Sequence, residues 1–217
     1  MSAGSPTPSA SSRRRRRSDG LRTYDGIVNA AADIASLEGL DALTIGTLAE
    51  RLEMSKSGLF AHFGSKEELQ LATVEAARKR YVAAVLDTAM KAPAGVARIE
   101  ALCTMTLDYV ARPEFPGGCF FVATQAGVRS RAGGVRNAVI ANKAYFRRLL
   151  ERTIKEAKTR RELATGVDAD QLAYELIAVM DAATWAATDE RREDDLRHAG
   201  RAVRTLLDRA KRQRAKR

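Results

Sequence analysis

TIGTLAERLEMSKSGLFAHF, residues 44–63, decides how the chain is read. Thr44 is a good N-cap, and Ile45, Leu48, Ala49 and Leu52 follow at helical spacing to give a short helix one inward face. Glu53 and Met54 form a joint. Ser55 then caps a second helix, whose inward side is Leu59 with Phe60 or Phe63; Lys56, Ser57, Ala61 and His62 are left to face outward. Two short helices joined this tightly form a helix-turn-helix, which can push its second helix into a DNA major groove about 12 Å wide. The small Ala49 lets the helices approach, and the branched Leu59 fills the wedge between them. An ordinary helical hairpin inside a bundle has the same inward spacing, so the pattern alone leaves both readings open.

On the C-terminal side, Gly64 is a natural stop, and Ser65-Lys66-Glu67-Glu68 is a capping box that starts a third helix. That helix runs to about Met90, with Val74, Ala77, Tyr81, Ala84 and Val85 as its buried stripe. At 1.5 Å per residue it spans roughly 37 Å, enough to leave a DNA-binding head and enter the rest of the chain as one rod. On the N-terminal side, a helix from about Leu21 to Leu37 puts Ile27, Val28, Ala31, Ile34 and Ala35 on one face and completes a three-helix head. Before it, residues 1–18 are Ser-, Ala-, Pro- and Gly-rich and end in Arg13–Arg17, a composition that cannot bury a core and predicts a disordered arm. Placed beside a DNA-binding module, such an arm can follow the phosphate backbone or enter the minor groove.

The remaining chain reads as more helices. They fall at about Ala94–Ala111, Cys119–Gln125, Val135–Leu163 and, starting after Thr165-Gly166-Val167-Asp168, to about Thr188, with a last one carrying Leu196, Ala199, Val203, Leu206 and Leu207 after a charged link at 189–195. No alternating β-branched run appears, so the expected fold is all-α: a head joined by a long helix to a bundle, about nine helices in total. The parts are a disordered arm (1–18), a helix-turn-helix head (19–66, motif 44–63), a helical body (67–210) and a basic tail (211–217). The helix that ends near Thr188 is apolar around much of its girth and must be covered on more than one side. A second copy packing its eighth and ninth helices there would make a four-helix seam about a two-fold axis; central burial in a monomer is the alternative.

Charge alone does not locate a DNA-binding face. The chain carries +10, but residues 1–24 hold six arginines against Asp19 (+5) and residues 201–217 hold eight Lys or Arg against Asp208 (+7), which leaves −2 between them. No stretch approaches a membrane span and no apolar signal core opens the chain. Two cysteines, Cys103 and Cys119, make neither a disulfide framework nor a metal set, as expected in a reducing cytoplasm.

The run Met54–Leu69, MSKSGLFAHFGSKEEL, closely resembles the signature of the tetracycline-repressor (TetR) family of bacterial transcription regulators, the FGSKEEL stretch most specifically. The resemblance covers about residues 20–75; beyond that it is one of length and helical architecture. Glu53 stands where the family usually has Gly, and Phe60 where Tyr is usual, which removes a hydroxyl that tends to reach a phosphate. The resemblance implies a homodimeric regulator, a repressor released from a palindromic operator by a small, largely apolar effector. It implies DNA roles for Thr44, Lys56, Ser57, Gly58, Leu59, Phe60, His62 and Lys66. Thr44 and Lys66 would hold phosphates at helix N-termini, Lys56, Ser57 and Gly58 would face base edges, and His62 would touch the backbone. It also implies an effector cavity among the fourth to eighth helices. By type and position the candidates are Cys103, Leu107, Phe120, Phe121, Gln125, Tyr145, Met180 and Trp185, with Asn142 and Asp181 as further polar groups; each can equally be an ordinary core residue.

Other functions find less support. His62 and His198 are the only histidines, and no metal spacing, phosphate loop or nucleophile elbow occurs, so neither enzyme nor cofactor is expected. A nonspecific DNA-coating protein would use the basic tails alone. A redox-responsive regulator would act through Cys119, beside Gly117-Gly118, where a helix N-terminus lowers a thiol pKa.

Overall fold

The computed structural model describes residues 10–112, 114–128, 132–186 and 192–212. Among these residues there are nine helices, counting one long rod as a single element, and no strand. The head is α1 (Ala10–Ala42), α2 (Ile45–Arg51) and α3 (Lys56–Phe60). The rod, α4, is Lys66–Tyr81, continued by a π-helical turn at Val82–Leu86 and a last turn at Asp87–Ala89. The body adds α5 (Val96–Ala111), α6 (Phe120–Val128), α7 (Gly134–Thr159), α8 (Ala169–Ala186) and α9 (Arg192–Arg212).

Three boundaries differ from the sequence reading, each for a local reason. α1 begins at Ala10 rather than Leu21, so Arg13–Arg17 are helical; arginine is a good helix former, and no proline interrupts the run. Residues 1–9 and 213–217, which hold the rest of the expected arm and most of the basic tail, lie outside the described residues. α7 ends at Thr159, short of Leu163, because Arg161 takes φ 61° and closes the helix. The Glu162 N–H then donates to the Ala157 carbonyl at 2.9 Å and the Arg161 N–H to the Lys158 carbonyl at 2.9 Å, a Schellman closure without glycine. Arg192–Asp195, expected within a charged link, open α9; Glu193, Asp194 and Asp195 suit the positive end of a helix dipole.

The head closes on Ile27, Val28 and Ala31 of α1, Leu48 and Ala49 of α2, and Leu59, Phe63 and Leu69, all buried. In the body, α5 packs against α7, α8 and α9, and α8 pairs with both α7 and α9. The rod α4 lies along α1 and α7, while α6 lies along α1 and α7 from another side. Head and body therefore share two seams, one through α4 and one through α6.

Candidate functional sites: a nucleic-acid interface and a cavity

The helix-turn-helix is fixed by local hydrogen bonds. Thr44 and Thr47 cap reciprocally: the Thr47 N–H donates to Thr44 Oγ1 and the Thr44 N–H to Thr47 Oγ1, both at 3.0 Å. The joint is a second Schellman closure. Glu53 sits at φ 53°, its N–H donates to the Glu50 carbonyl at 3.3 Å, and the Met54 N–H donates to the Ala49 carbonyl at 2.9 Å. The backbone thus keeps a left-handed turn and places glutamate in it, at a steric cost of about 1–2 kcal/mol. Ser55 caps α3 by accepting the Gly58 N–H at 3.1 Å. Ser65 caps α4 by accepting the Glu68 N–H at 3.1 Å, while Glu68 Oε2 accepts the Gly64 N–H at 2.8 Å.

These caps decide what α3 shows to solvent. Lys56, Ser57, Phe60, Ala61 and His62 are exposed, Gly58 is half-buried, and Phe63 rather than Phe60 turns inward. Phe60 is 56% exposed, a large apolar ring on an otherwise polar surface. Leu59 is the correction among the predicted DNA contacts: it is wholly buried and serves as the wedge between α2 and α3. Thr44 is half-buried, with its hydroxyl engaged in capping. Lys66 is exposed at the start of α4, and its Nζ donates to the Asp41 carbonyl at 2.9 Å, tying the rod to the end of α1. The His62 ring lies 6.1 Å from Tyr24, which also packs on Phe63 at 5.5 Å. A helix of between one and two turns, with Lys56 and Ser57 on its outer side and His62 just past its end, has the size and donor chemistry for a major groove.

The second site is a partly open cavity of about 650 Å³ lined by α4, α5, α6, α7 and α8. Tyr81 of α4 is the hub of its aromatic wall, edge-on to Tyr109 (5.4 Å), Phe121 (6.2 Å) and Phe146 (6.2 Å). Of the predicted candidates, Phe121, Gln125, Asn142, Met180 and Asp181 line it. Five do not. Cys103 and Phe120 are wholly buried in the core, Leu107 packs half-buried against it, and Tyr145 and Trp185, 50% and 63% exposed, point outward. The sequence reading did not assign Tyr81, Thr106, Tyr109, Cys119 or Thr184 to the cavity wall. Thr106, Tyr109 and Val110 share one face of α5, and a tyrosine buried there signals a polar tip needing a partner.

Burial sets the protonation of this wall. It pushes the hydroxyls of Tyr81 and Tyr109 well above the ordinary tyrosine range and, in the solid core behind the wall, the Cys103 thiol up to about 12. Burial also raises the Cys119 thiol, outweighing the opposing hydrogen bonds from the backbone of Val122 and Phe121 at the α6 N-terminus. The dipole effect expected at Cys119 is therefore present but loses to desolvation. At the rim, Lys143 pairs with Asp181 at 2.6 Å, and Arg147 with Asp170 at 2.6 Å and Glu151 at 3.1 Å. Among the described residues, no cluster of His, Cys, Asp or Glu could hold a metal ion, and no helix is long and apolar enough to cross a membrane.

Cavity and head meet at one strut. Arg80, next to Tyr81, pairs with Asp33 of α1 at 2.7 Å and with the Glu114 carboxylate at 3.6 Å, donates to the Glu114 carbonyl, and stacks over Phe115 at 3.8 Å. Beside it, the Gly117 N–H donates to Ser36 Oγ of α1 at 3.0 Å, and Ser36 Oγ donates to the Asp33 carbonyl at 2.7 Å. Gly117 approaches so closely that a Cβ there would fall 2.0 Å from the Ser36 carbonyl oxygen.

Comparison with known proteins agrees with this architecture. The sequence family described as "Bacterial regulatory proteins, tetR family" matches residues 27–73, and "Tetracyclin repressor-like, C-terminal domain" matches residues 95–205. A TetR transcriptional regulator from Chloroflexus aurantiacus J-10-FL is 26% identical, with a TM-score of 0.81 over 88% of this chain and 96% of that one. A TetR-family regulator from Streptomyces coelicolor is 21% identical, with a TM-score of 0.73 over 88% and 95%. AibR, solved in complex with isovaleryl coenzyme A and operator DNA, is 19% identical, with a TM-score of 0.65 over 82% and 95%. No curated protein matches the chain. With its C-terminal half and its helix-turn-helix matched independently, the chain belongs to the TetR family of DNA-binding bacterial transcription regulators.

Proposed function

We propose that this regulator is a homodimeric repressor that leaves a palindromic operator when a small, largely apolar molecule enters the cavity. One observation carries the reading: Tyr81 lines the cavity while its neighbour Arg80 grips α1 of the head, so one turn of α4 touches both sites. A ligand that displaces the Tyr81 side of the rod loads the Arg80 strut and re-aims α3. AibR, whose structure holds both an acyl coenzyme A and operator DNA, supports the pairing of the two sites on this fold.

The dimer is proposed through α8 and α9. Tyr174 and Ala178, at the open side of the cavity, and Ala182 and Trp185 recur along α8 and are exposed, giving an apolar strip with two small residues where helices can approach closely. The outward side of α9 is charged, with Arg197, Arg201, Arg204 and Asp208, so α8 supplies the apolar part of that seam. On DNA, Lys56, Ser57 and Gly58 are proposed to read base edges. Thr44, Phe60, His62 and Lys66 are proposed to meet the backbone, together with the arginines of the N-terminal arm.

Selection of bound sequences from random DNA tests this reading, followed by footprinting and a screen for compounds that release the complex. The expected site is one bounded palindrome with half-sites about 34 Å apart. Lys56→Ala lowers affinity for it by about 1–3 kcal/mol. Protection without boundaries, or equal binding of Lys56→Ala and wild type at moderate salt, would sink the proposal.

A further inference from the structure

Tyr109 lines the cavity at 5% exposure, and its hydroxyl is the one buried side-chain polar atom among the described residues with no hydrogen-bond partner. A buried hydroxyl left unpaired costs about 1–3 kcal/mol, which a bound acceptor would recover. Tyr81 makes no such demand: its hydroxyl is not among the buried polar atoms left without a partner, and the Thr106 side chain lies beside it. The charges around the cavity are already spent on one another. Its charged lining residues are Lys143, Arg147 and Asp181; Lys143 and Asp181 hold each other, and Arg147 is held by Asp170 and Glu151. An anionic ligand would have to strip Lys143 or Arg147 from a carboxylate. A cationic one would have to draw Asp181 from Lys143; these pairs stand on the solvent-exposed rim, so a charge carried into the aromatic interior would be desolvated without a partner there. The remaining wall is neutral and rich in aromatic edges, which favour a flat apolar body.

Resting on the effector reading above, we infer that the cavity takes an uncharged, mostly aromatic or apolar molecule bearing one hydrogen-bond-accepting oxygen, which the Tyr109 hydroxyl receives. The volume suits such a ligand of drug size.

Three probes of similar shape separate the possibilities on the full chain by calorimetry: benzophenone, which has a neutral carbonyl; diphenylmethane, which lacks it; and 4-benzoylbenzoate, which adds a carboxylate. Benzophenone is expected to bind at least 10-fold more tightly than 4-benzoylbenzoate. The ratio of ketone to hydrocarbon affinity is expected to fall at least 5-fold in Tyr109→Phe and to stay unchanged in Tyr145→Phe, an exposed tyrosine outside the cavity wall. Tyr109→Phe removes a hydroxyl without a partner, and its melting temperature should be no lower than the wild type's and is expected to rise. The inference is overturned if the carboxylate binds as tightly as the ketone, if Tyr109→Phe keeps the wild-type ratio, or if neither neutral probe binds at its solubility limit. Binding in the expected pattern with no change in operator affinity supports the ligand class and removes the effector reading instead.

Discussion

In the head, three helices close on Leu43, Leu48, Leu59 and Phe63, none more than 2% exposed; in the body, five helices stand around a hole of about 650 Å³. Both regions are built from the same kinds of apolar side chain, so composition does not distinguish them. The difference lies in what each must hold constant. A groove-reading helix as short as Lys56–Phe60 cannot hold its own shape, since helices of that length are unstable in isolation. Its pose is set by caps and by one wedge. The body is long-helical throughout and keeps its frame without filling its centre. Rigid packing serves recognition in one region, and incomplete packing leaves room for a guest in the other.

The largest expected effect comes from attacking the wedge. Leu59→Ala should destabilise the head by about 2–5 kcal/mol and abolish operator binding while calorimetry still detects cavity ligands. Loss of both functions together would mean that the regions do not differ in the way described. Adding volume sharpens the contrast. Leu48→Phe, in the closed head, should cost about 1–3 kcal/mol in denaturant unfolding, whereas Val139→Phe, on the cavity wall, should cost under about 1 kcal/mol and weaken ligand binding instead. Equal costs would show that the cavity closes up in solution. The smallest effect belongs to the joint. Glu53→Gly relieves a left-handed backbone, offset by the extra freedom glycine gains when unfolded, and should raise stability by about 0.5–1 kcal/mol with operator sequence preference unchanged. A loss of stability would show that Glu53 does more there than complete the turn.

The head was legible from sequence because its determinants are local. Thr44, Ser55 and Ser65 each act within three residues of themselves, and apolar spacing over twenty residues placed Leu48 and Leu59. Where spacing tied, at Phe60 and Phe63, only the packed structure turned Phe63 inward. The body's long helices were equally visible, but the cavity was not. Its wall is assembled from side chains as far apart in sequence as Tyr81, Tyr109, Phe121 and Met180, and a period of 3.6 says which residues face inward without saying which of them face a void. Residues chosen by chemical type therefore scattered: Cys103 and Phe120 went to solid core, and Tyr145 and Trp185 to the outside. Arg161 and Glu53 show a second limit, since each closes a helix in a conformation usually marked by glycine.

The contact between Gly117 and Ser36 admits no atom beyond hydrogen, and the obstacle is main chain, which cannot swing aside as a side-chain tip could. Even alanine at 117 would act as a one-methyl shim, prising the first helix off the sixth without altering any group that meets a guest molecule or a base pair. Mutational variation can thus redraw the guest chamber or the outward side of α3 while this hinge-point keeps the same gauge. A single carbon inserted there offers a way to set by hand where the head sits on the body.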